Sequence, residues 1–341
     1  MPHGKQQSRK ESSIEPVAIM RNLHTVFPSI ALLAGVQLGI FTILENGPRN
    51  ARDIAQSLRV REAKLAPLLY ALVVAGVLQI EGNVFSNTLE ANTFLVKNNP
   101  EYLGGLVEFY IMLWSMTQST ADSIRTGTPR AKFDFQTLPE KELEAYFRRQ
   151  IHSSISGGED IAAAIDFSSF EKLLDAGGGT GGAAMAICRK YPRLKATVAD
   201  LPKVAHLAAG FIAEAGMSDR INVSAVDLCA ESPANAYDAV LLRAVIQTFP
   251  KDDALKILRN IGLSMPSGGK IFIVGSILDN SRLSPPSAVA YSLVFLNTYE
   301  NGGAYTEDEY REMLASSGFA EVSVVHDALS DGMGIVRAAK L

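Results

Sequence analysis

The sequence predicts an α/β protein in two parts, an N-terminal helical part followed by a doubly wound, mostly parallel sheet. Three observations support this fold class. Apolar residues recur at helical spacing through residues 14–165. Strands and helices then alternate from Phe170 onward, which is typical of a parallel sheet covered on both faces. Two apolar strands joined by a short connection end the chain, which favours an antiparallel pair closing the sheet.

The first part of the chain has the element order of a winged helix. NGPRNARDIAQSL predicts a helix capped by Asn50, a second helix stops at Gly76, and a hairpin then turns at Glu81–Asn83. Long helices are predicted around Tyr102–Thr126 and Leu143–Ile165. We therefore divide the chain into a disordered polar tail at 1–13, a helical, winged-helix-like domain at 14–165 and the sheet domain at 166–341.

Composition and charge narrow the class of protein. The 341 residues are 47% hydrophobic with a formal net charge of -4, which supports a sizeable core and gives no basic surface for nucleic acid. Cys188 and Cys229 lie in no CxxC pattern and have no histidine at ligand spacing, so neither a disulfide framework nor a metal site is expected. These features predict a cytoplasmic protein without a nucleic-acid partner.

One apolar stretch has the length of a membrane span. Thr25–Leu44 carries no charge, but Pro28, Gln37 and two glycines interrupt it and no basic flank follows. We expect a helix buried at a domain or subunit interface rather than a membrane partner. The N-terminal helices carry more apolar surface than a small winged-helix domain can bury by itself. The sequence therefore predicts a homodimer.

The sharpest local signal is LLDAGGGTGG at residues 173–182, where a strand ends in Asp175 and a glycine loop leads into a helix. Glycines allow a tight turn and the close approach of a ligand to the backbone. The carboxylate before the loop is a poor neighbour for a pyrophosphate, so this is not the dinucleotide fingerprint. It suits the cationic amino group of a bound amino acid.

Acidic residues also end the next two predicted strands. Asp200 ends ATVAD and Asp227 ends INVSAVD. Doubly wound sheets bind ligands at the edge where parallel strands end, and a carboxylate there can accept hydrogen bonds from ribose hydroxyls. Any one of these acids is also a plausible helix or loop cap. Three in register favour a shared ligand site.

Together these segments, with LLRAVIQTFPKDDALKIL, resemble the plant caffeate-type and bacterial hydroxyneurosporene-type O-methyltransferases, a family with the class I, Rossmann-like methyltransferase fold. The resemblance covers the chain from about residue 15, and it implies that the winged-helix part is a dimerisation domain. It implies S-adenosylmethionine (SAM) as cofactor. The residues that match the cofactor-binding positions are Asp175, Gly177, Gly178 and Gly179 for methionine, Asp200 and Leu201 for ribose, Asp227 and Leu228 for adenine, and Arg243, where the family usually has a lysine.

The chain departs from this family at its catalytic base. Gln247 stands where O-methylating members carry a histidine, and the flanking carboxylates map to Ser292 and Ala304. Glutamine does not accept a proton at neutral pH, so an already acidic or strongly nucleophilic acceptor is expected. His152 lies in a helix that lines the active site of relatives and is the candidate for a catalytic or orienting role.

By the same resemblance, the acceptor pocket involves Trp114 from the segment Tyr110–Met116 and Phe295 and Asn297 from a late helix. The aromatic and thioether residues of that segment alternate by two, so they do not all share one helical face. Some of them are therefore expected to be ordinary core or interface residues.

The resemblance implies a SAM-dependent methyltransferase, most simply an O-methyltransferase, acting on a small aromatic or polyketide-like acceptor. It leaves open transfer to nitrogen, sulfur or carbon. The missing base motivates an alternative, a SAM-binding enzyme that does not methylate, such as a hydroxylase, decarboxylase or pericyclase. A winged-helix regulator is a third hypothesis, but its candidate recognition helix is almost wholly apolar beyond Arg61 and Lys64.

Overall fold

The computed structural model describes residues 14–99, 101–132, 135 and 137–341, so the tail predicted at 1–13 lies outside the described residues. The chain separates into two compact units, one up to Ile111 and one from Met112. The domain boundary predicted from the sequence lies later, at 165. The difference concerns residues 112–165, whose longest helix packs against the sheet-containing unit.

The first unit contains helices and a small antiparallel sheet. Its elements are α1 (Val17–His24), α2 (Val26–Leu38), α3 (Ile40–Ile43), β1 (Arg49–Asn50), α4 (Ala51–Leu58), α5 (Glu62–Val74), β2 (Leu78–Glu81), β3 (Val84–Asn87), α6 (Leu89–Phe94) and the start of α7 (Gly104–Thr117). The predicted hairpin is confirmed, since β2 pairs with β3 in antiparallel register. The predicted cap is also present, because the Asn50 side chain accepts a 2.9 Å hydrogen bond from the Asp53 amide.

The apolar stretch at Thr25–Leu44 is not one helix. Gly39 adopts a left-handed φ of 71° and ends α2, and α3 follows directly. Within the described residues, Val17–Leu38 is long and apolar enough to cross a membrane by length and composition, and only 6% of its most apolar window is buried. Within one chain Ile40, Phe41 and Leu44 are buried, whereas most side chains of α1 and α2 are not. Val17, Leu23 and Phe27 expose most of their side chains.

The second unit carries the large sheet. Its elements after α7 are α8 (Thr120–Thr126), α9 (Glu140–Ala164), β4 (Lys172–Ala176), α10 (Gly182–Lys190), β5 (Lys195–Asp200), α11 (Pro202–Glu214), β6 (Ile221–Ala225), β7 (Ala239–Arg243), α12 (Lys251–Leu263), β8 (Lys270–Gly275), β9 (Ile277–Leu278), α13 (Pro286–Thr298), β10 (Tyr305–Thr306), α14 (Glu307–Ser316), β11 (Phe319–Val325) and β12 (Gly334–Lys340).

The seven strands of this sheet have the order β11-β12-β8-β7-β4-β5-β6. Strands β4 to β8 pair in parallel, whereas β12 is antiparallel to both β8 and β11. The predicted doubly wound sheet with an antiparallel closing pair is therefore confirmed. The strand order reverses between β4 and β7, and such a switch point opens a crevice at the carboxyl ends of the strands.

Helix α9 joins the second unit through small residues. A Cβ on Gly158 would lie only 2.6 Å from the Cα of Ala183 in α10, and one on Gly182 would lie 2.7 Å from the Ser154 side chain. The two helix backbones therefore approach more closely than larger side chains allow. This contact explains why α9 belongs with the sheet although its sequence resembles the helical part before it.

Candidate functional site

The glycine loop follows β4, the central strand at the switch point. Gly177 has a left-handed φ of 70°, and its amide donates a 2.7 Å hydrogen bond to the Ala199 carbonyl of β5. A Cβ on Gly178 would lie 2.7 Å from the Asp175 carboxyl carbon. The loop therefore folds tightly over the strand end and leads directly into the amino terminus of α10.

Asp175 is a buried acid with an unused oxygen. Its side chain is 1% exposed, and Oδ2 has no hydrogen-bond partner among the described residues. Burial raises the pKa of this carboxyl to about 7, while the Ala184 backbone amide and Arg243 act in the opposite direction. An orphaned buried carboxyl of this kind fits a cationic partner supplied by a ligand, such as an amino group.

Asp200 ends β5 beside the glycine loop. Its Oδ2 accepts a 2.9 Å hydrogen bond from the Gly179 amide and its Oδ1 accepts a 2.8 Å bond from the Leu201 amide. Burial raises the pKa of this carboxyl. The side chain thus joins the loop to the start of α11, and a carboxylate has further lone pairs that can accept hydrogen bonds from ligand hydroxyls.

The third acidic position lies two residues beyond its strand, because β6 ends at Ala225. Asp227 is exposed, and its Oδ1 accepts a 2.9 Å bond from the Cys229 amide. Leu228 is buried, and its carbonyl accepts a 2.9 Å bond from the Asn260 amide. The geometry therefore shows a local cap at Asp227, and the adenine contact of this pair stays a prediction.

Arg243 ends β7 on the other side of the switch point. Its Nη2 lies 3.6 Å from Asp331 Oδ2, and its Nε is buried without a partner among the described residues. A Cβ on Gly157 would collide with the guanidinium, so this glycine of α9 makes room for it. The arginine is close enough to Asp175 to lower the pKa of that carboxyl.

Gln247 does not lie open to solvent. It belongs to a 3-10 turn at Ile246–Thr248, is 0% exposed, and donates a 2.8 Å hydrogen bond from Nε2 to the Tyr310 hydroxyl. A Cβ on Gly275 would collide with its amide. The side chain is thus packed against β8 and α14. The predicted catalytic role of Gln247 gains no support from this position, and the sequence carried no signal for its partner Tyr310.

His152 lies on the outer side of α9. Its side chain is exposed and forms no hydrogen bond with any residue that the structure describes. The buried positions of α9 are elsewhere, including Phe147, Gly158 and Ile161. The catalytic or orienting role proposed for His152 stays a prediction without a supporting contact in this unit.

The three predicted acceptor contacts have different surroundings. Trp114 is half-buried on α7, and Phe295 is buried with its ring centroid 5.5 Å from that of Tyr291. Asn297 is fully buried, donates to Thr120 and the Leu293 carbonyl, and accepts from Ser123, each at 2.8 Å. The Asn297 amide therefore ties α8 to α13, and this geometry gives no support to its predicted contact with the acceptor.

Sequence reasoning missed an aromatic pair in α9. Phe147 is buried, and a Cβ on Gly179 would lie 3.3 Å from its Cε1. The neighbouring Tyr146 has its ring centroid 5.3 Å from that of Phe147. The available signal was two adjacent aromatic residues in the first half of α9. They place an aromatic surface against the cofactor loop.

The glycine loop and the buried Asp175 carboxyl at the switch point fit a cofactor that carries an amino acid. Comparison with known proteins identifies the enzyme family and its cofactor. An O-methyltransferase domain profile matches residues 125–320, and an O-methyltransferase dimerisation domain profile matches residues 20–97. The chain therefore belongs to the O-methyltransferase family, and it is a SAM-dependent methyltransferase with a class I fold.

Individual relatives cover nearly the whole chain. A 3-hydroxy-5-methyl-1-naphthoate 3-O-methyltransferase from Streptomyces sahachiroi is 31% identical over 319 residues, 91% of each chain. The N,N-dimethyltransferase OxyT from Streptomyces rimosus is 27% identical over 90% of this chain and 92% of its own. The structure of the Serratia methyltransferase PigF with S-adenosylhomocysteine (SAH) superposes with a TM-score of 0.79 at 21% identity, covering 96% of this chain and 100% of that one.

Proposed function

We propose that this enzyme transfers the methyl group of SAM to a hydroxyl oxygen of a small aromatic, polyketide-like acceptor. The observation that carries the cofactor half of this proposal is the orphaned, buried Asp175 carboxyl beside the glycine loop. The acceptor class is supported by the naphthoate methyltransferase, which is similar along 91% of the chain. When bound, SAM supplies an electrophilic methyl group on a sulfonium.

Each part of the cofactor has a residue suited to hold it. We assign the amino group to Asp175 and the methionine backbone to the loop at Gly177, Gly178 and Gly179. We assign the ribose hydroxyls to Asp200 beside Leu201. The further assignments are Asp227 and Leu228 at adenine and Arg243 near the methionine carboxylate, where a guanidinium with an unused, buried Nε suits an anion.

The acceptor has to lose its proton without help from the residue at the usual base position. Gln247 is an amide that donates its Nε2 hydrogen to Tyr310. We therefore propose acceptors whose hydroxyl is acidic enough to release its proton to solvent. Positioning beside the sulfonium then supplies the rate.

A test uses purified enzyme with methyl-labelled SAM and a panel of hydroxylated naphthoates, anthraquinones and simple phenols. We expect SAH to form with the more acidic hydroxyarenes and slowly or not at all with simple phenols. If the protein binds SAH but forms no methylated product with any hydroxyarene of the panel, the proposed acceptor class is wrong.

We also propose that the enzyme is a cytoplasmic homodimer. The dimerisation profile covers 20–97, and the exposed apolar side chains of α1 and α2 lie within or beside that range. We expect light scattering in detergent-free buffer to give twice the chain mass of 36.7 kDa. A monomeric mass at micromolar concentration, or a need for detergent or lipid, would contradict this proposal.

The affinity for SAH is expected to increase with pH because of Asp175. In the ligand-free protein burial raises the pKa of this carboxyl to about 7, so it is largely protonated below that pH. A bound ammonium favours the carboxylate, so binding releases a proton. Calorimetry between pH 5.5 and 7 should show affinity rising by up to about tenfold per pH unit.

The same linkage affects stability with the opposite sign. The folded-state pKa of Asp175 lies above the unfolded value, so the ligand-free protein loses stability as pH rises from about 4 through about 7.

The control for both predictions is the Asp175→Asn variant, which lacks the titrating group. It should bind SAH weakly, with an affinity that does not depend on pH. If the SAH affinity of the unmodified enzyme does not change with pH, Asp175 does not contact the amino group of the bound cofactor.

A further inference from the structure

Two chains of contacts lead from the glycine loop to the same residue, Tyr299. The first passes through the segment that follows β7. A Cβ on Gly177 would lie 2.7 Å from Val245, and the 3-10 turn containing Gln247 follows directly. The Gln247 carbonyl accepts a 2.8 Å hydrogen bond from the Gly303 amide. A Cβ on Gly302 would lie 2.6 Å from that carbonyl and 2.9 Å from the Cβ of Tyr299.

The second chain of contacts passes along α9. Phe147 lies against Gly179, Tyr146 packs edge-on against Phe147, and Tyr146 is near enough to Tyr299 to add to the shift of its pKa. The Tyr299 ring in turn lies 6.1 Å from that of Phe295. Phe147, Tyr146, Tyr299 and Phe295 therefore form an aromatic wall that begins at the cofactor loop. A planar acceptor that meets the cofactor would lie against this wall.

Tyr299 brings the polar group of this wall. It is the first residue after α13, its side chain is half-buried, and its hydroxyl makes no hydrogen bond with any residue that the structure describes. Burial raises the pKa of the phenol, so it stays protonated at physiological pH and acts as a donor rather than a base.

A hydrogen-bond donor at this position requires that the substrate carry an oxygen other than the hydroxyl that is methylated. A hydrogen bond donated to the reacting hydroxyl oxygen would occupy a lone pair that attacks the methyl carbon. A carbonyl or carboxylate conjugated to the same ring can accept the bond without this cost. A neutral carbonyl also withdraws electrons and makes the hydroxyl more acidic, which compensates for the amide at position 247.

We propose that Tyr299 is a specificity-determining residue that donates a hydrogen bond to a carbonyl or carboxylate oxygen on the same aromatic ring as the reacting hydroxyl of the acceptor. This inference rests on the proposed function. The step itself needs no protein base: the acceptor hydroxyl loses its proton to solvent, its oxygen forms the bond to the methyl carbon, and the carbon–sulfur bond breaks with both electrons remaining on sulfur.

The test measures, by calorimetry, how tightly 3-hydroxy-1-naphthoate and 2-naphthol bind to the SAH-loaded enzyme. The two ligands share the ring and hydroxyl and differ in the carboxylate. Tyr299→Phe should weaken binding of the naphthoate by about tenfold or more and leave 2-naphthol within about twofold. Tyr70→Phe removes an exposed hydroxyl in the first unit and should change neither affinity.

Each other outcome counts against the proposal. Equal losses for both ligands would mean that the Tyr299 hydroxyl does not recognise the carboxylate, which is the only group that distinguishes them. Unchanged naphthoate affinity, or no naphthoate binding to the unmodified SAH-loaded enzyme, would overturn the inference. SAH binding is measured first in the same titrations, so failure of the cofactor site, and with it of the proposed function, is recognised separately. Unchanged SAH affinity in Tyr299→Phe shows that the variant is folded.

Discussion

Replacing Asp200 by alanine should lower the affinity for SAH by about 100-fold or more. The carboxylate accepts the amides of Gly179 and Leu201, so its removal frees the glycine loop from β5. It also removes the acceptor assigned to the ribose hydroxyls, and hydrogen bonds to a charged group contribute about 1.5–3 kcal/mol each. Two such bonds exceed the 2.8 kcal/mol or so that a 100-fold change represents.

Two further variants make this measurement specific. Asp200→Asn should also bind SAH weakly, because both carboxylate oxygens accept backbone amides and one of them would face an amide NH2 instead. Asp219→Ala removes an exposed acid from the same unit and should leave SAH affinity within about twofold. If Asp200→Ala binds SAH as tightly as the Asp219 control, the ribose assignment is wrong.

The second large effect is expected at Gly158, where α9 meets α10. A Cβ there would lie 2.6 Å from the Cα and 2.9 Å from the carbonyl oxygen of Ala183, and backbone atoms do not yield as a flexible side chain does. Gly158→Ala should therefore lower the free energy of unfolding by about 3 kcal/mol, the upper range for overpacking. The helix propensity of alanine offsets only about 1 kcal/mol.

A matched glycine provides the control. Gly210 lies inside α11, is exposed, and a Cβ there would meet nothing within 4 Å. Gly210→Ala should stabilise the protein by about 0.5–1 kcal/mol, because only the helix propensity changes. Urea unfolding of both variants measures the two effects. Similar stability for the two alanine variants would show that α9 can move away from α10 at little cost.

The sheet and the cofactor loop were predictable because their signals are local. Strand β4 is buried along four of its five residues, and its apolar Leu173 and Leu174 lead directly into Asp175. The glycines after it allow a tight turn with left-handed backbone angles, and Asp200 follows at the end of the next strand. The fold class and the antiparallel closing pair therefore follow from the residues themselves, and the tight glycine loop after β4 follows from its composition.

The orientation of single polar side chains was not predictable in the same way. The sequence places Gln247 at the base position, but its direction depends on Tyr310, which lies 63 residues further along. Asn297 resembles a pocket residue in an apolar helix, yet its partners Thr120 and Ser123 belong to α8. The extent of the second unit depends on the close contact between Gly158 and Ala183, which no periodicity reveals.

The position of β12 in the sheet determines at which stage of synthesis all seven strands can pair. This strand lies between β8 and β11, both of which precede it in the chain, and it pairs antiparallel with each. Until residues 334–340 leave the ribosome, two apolar strand edges have no partner. A product that stops before Gly334 would keep both edges open, so premature termination near this point should yield aggregating protein that chaperones and proteases remove.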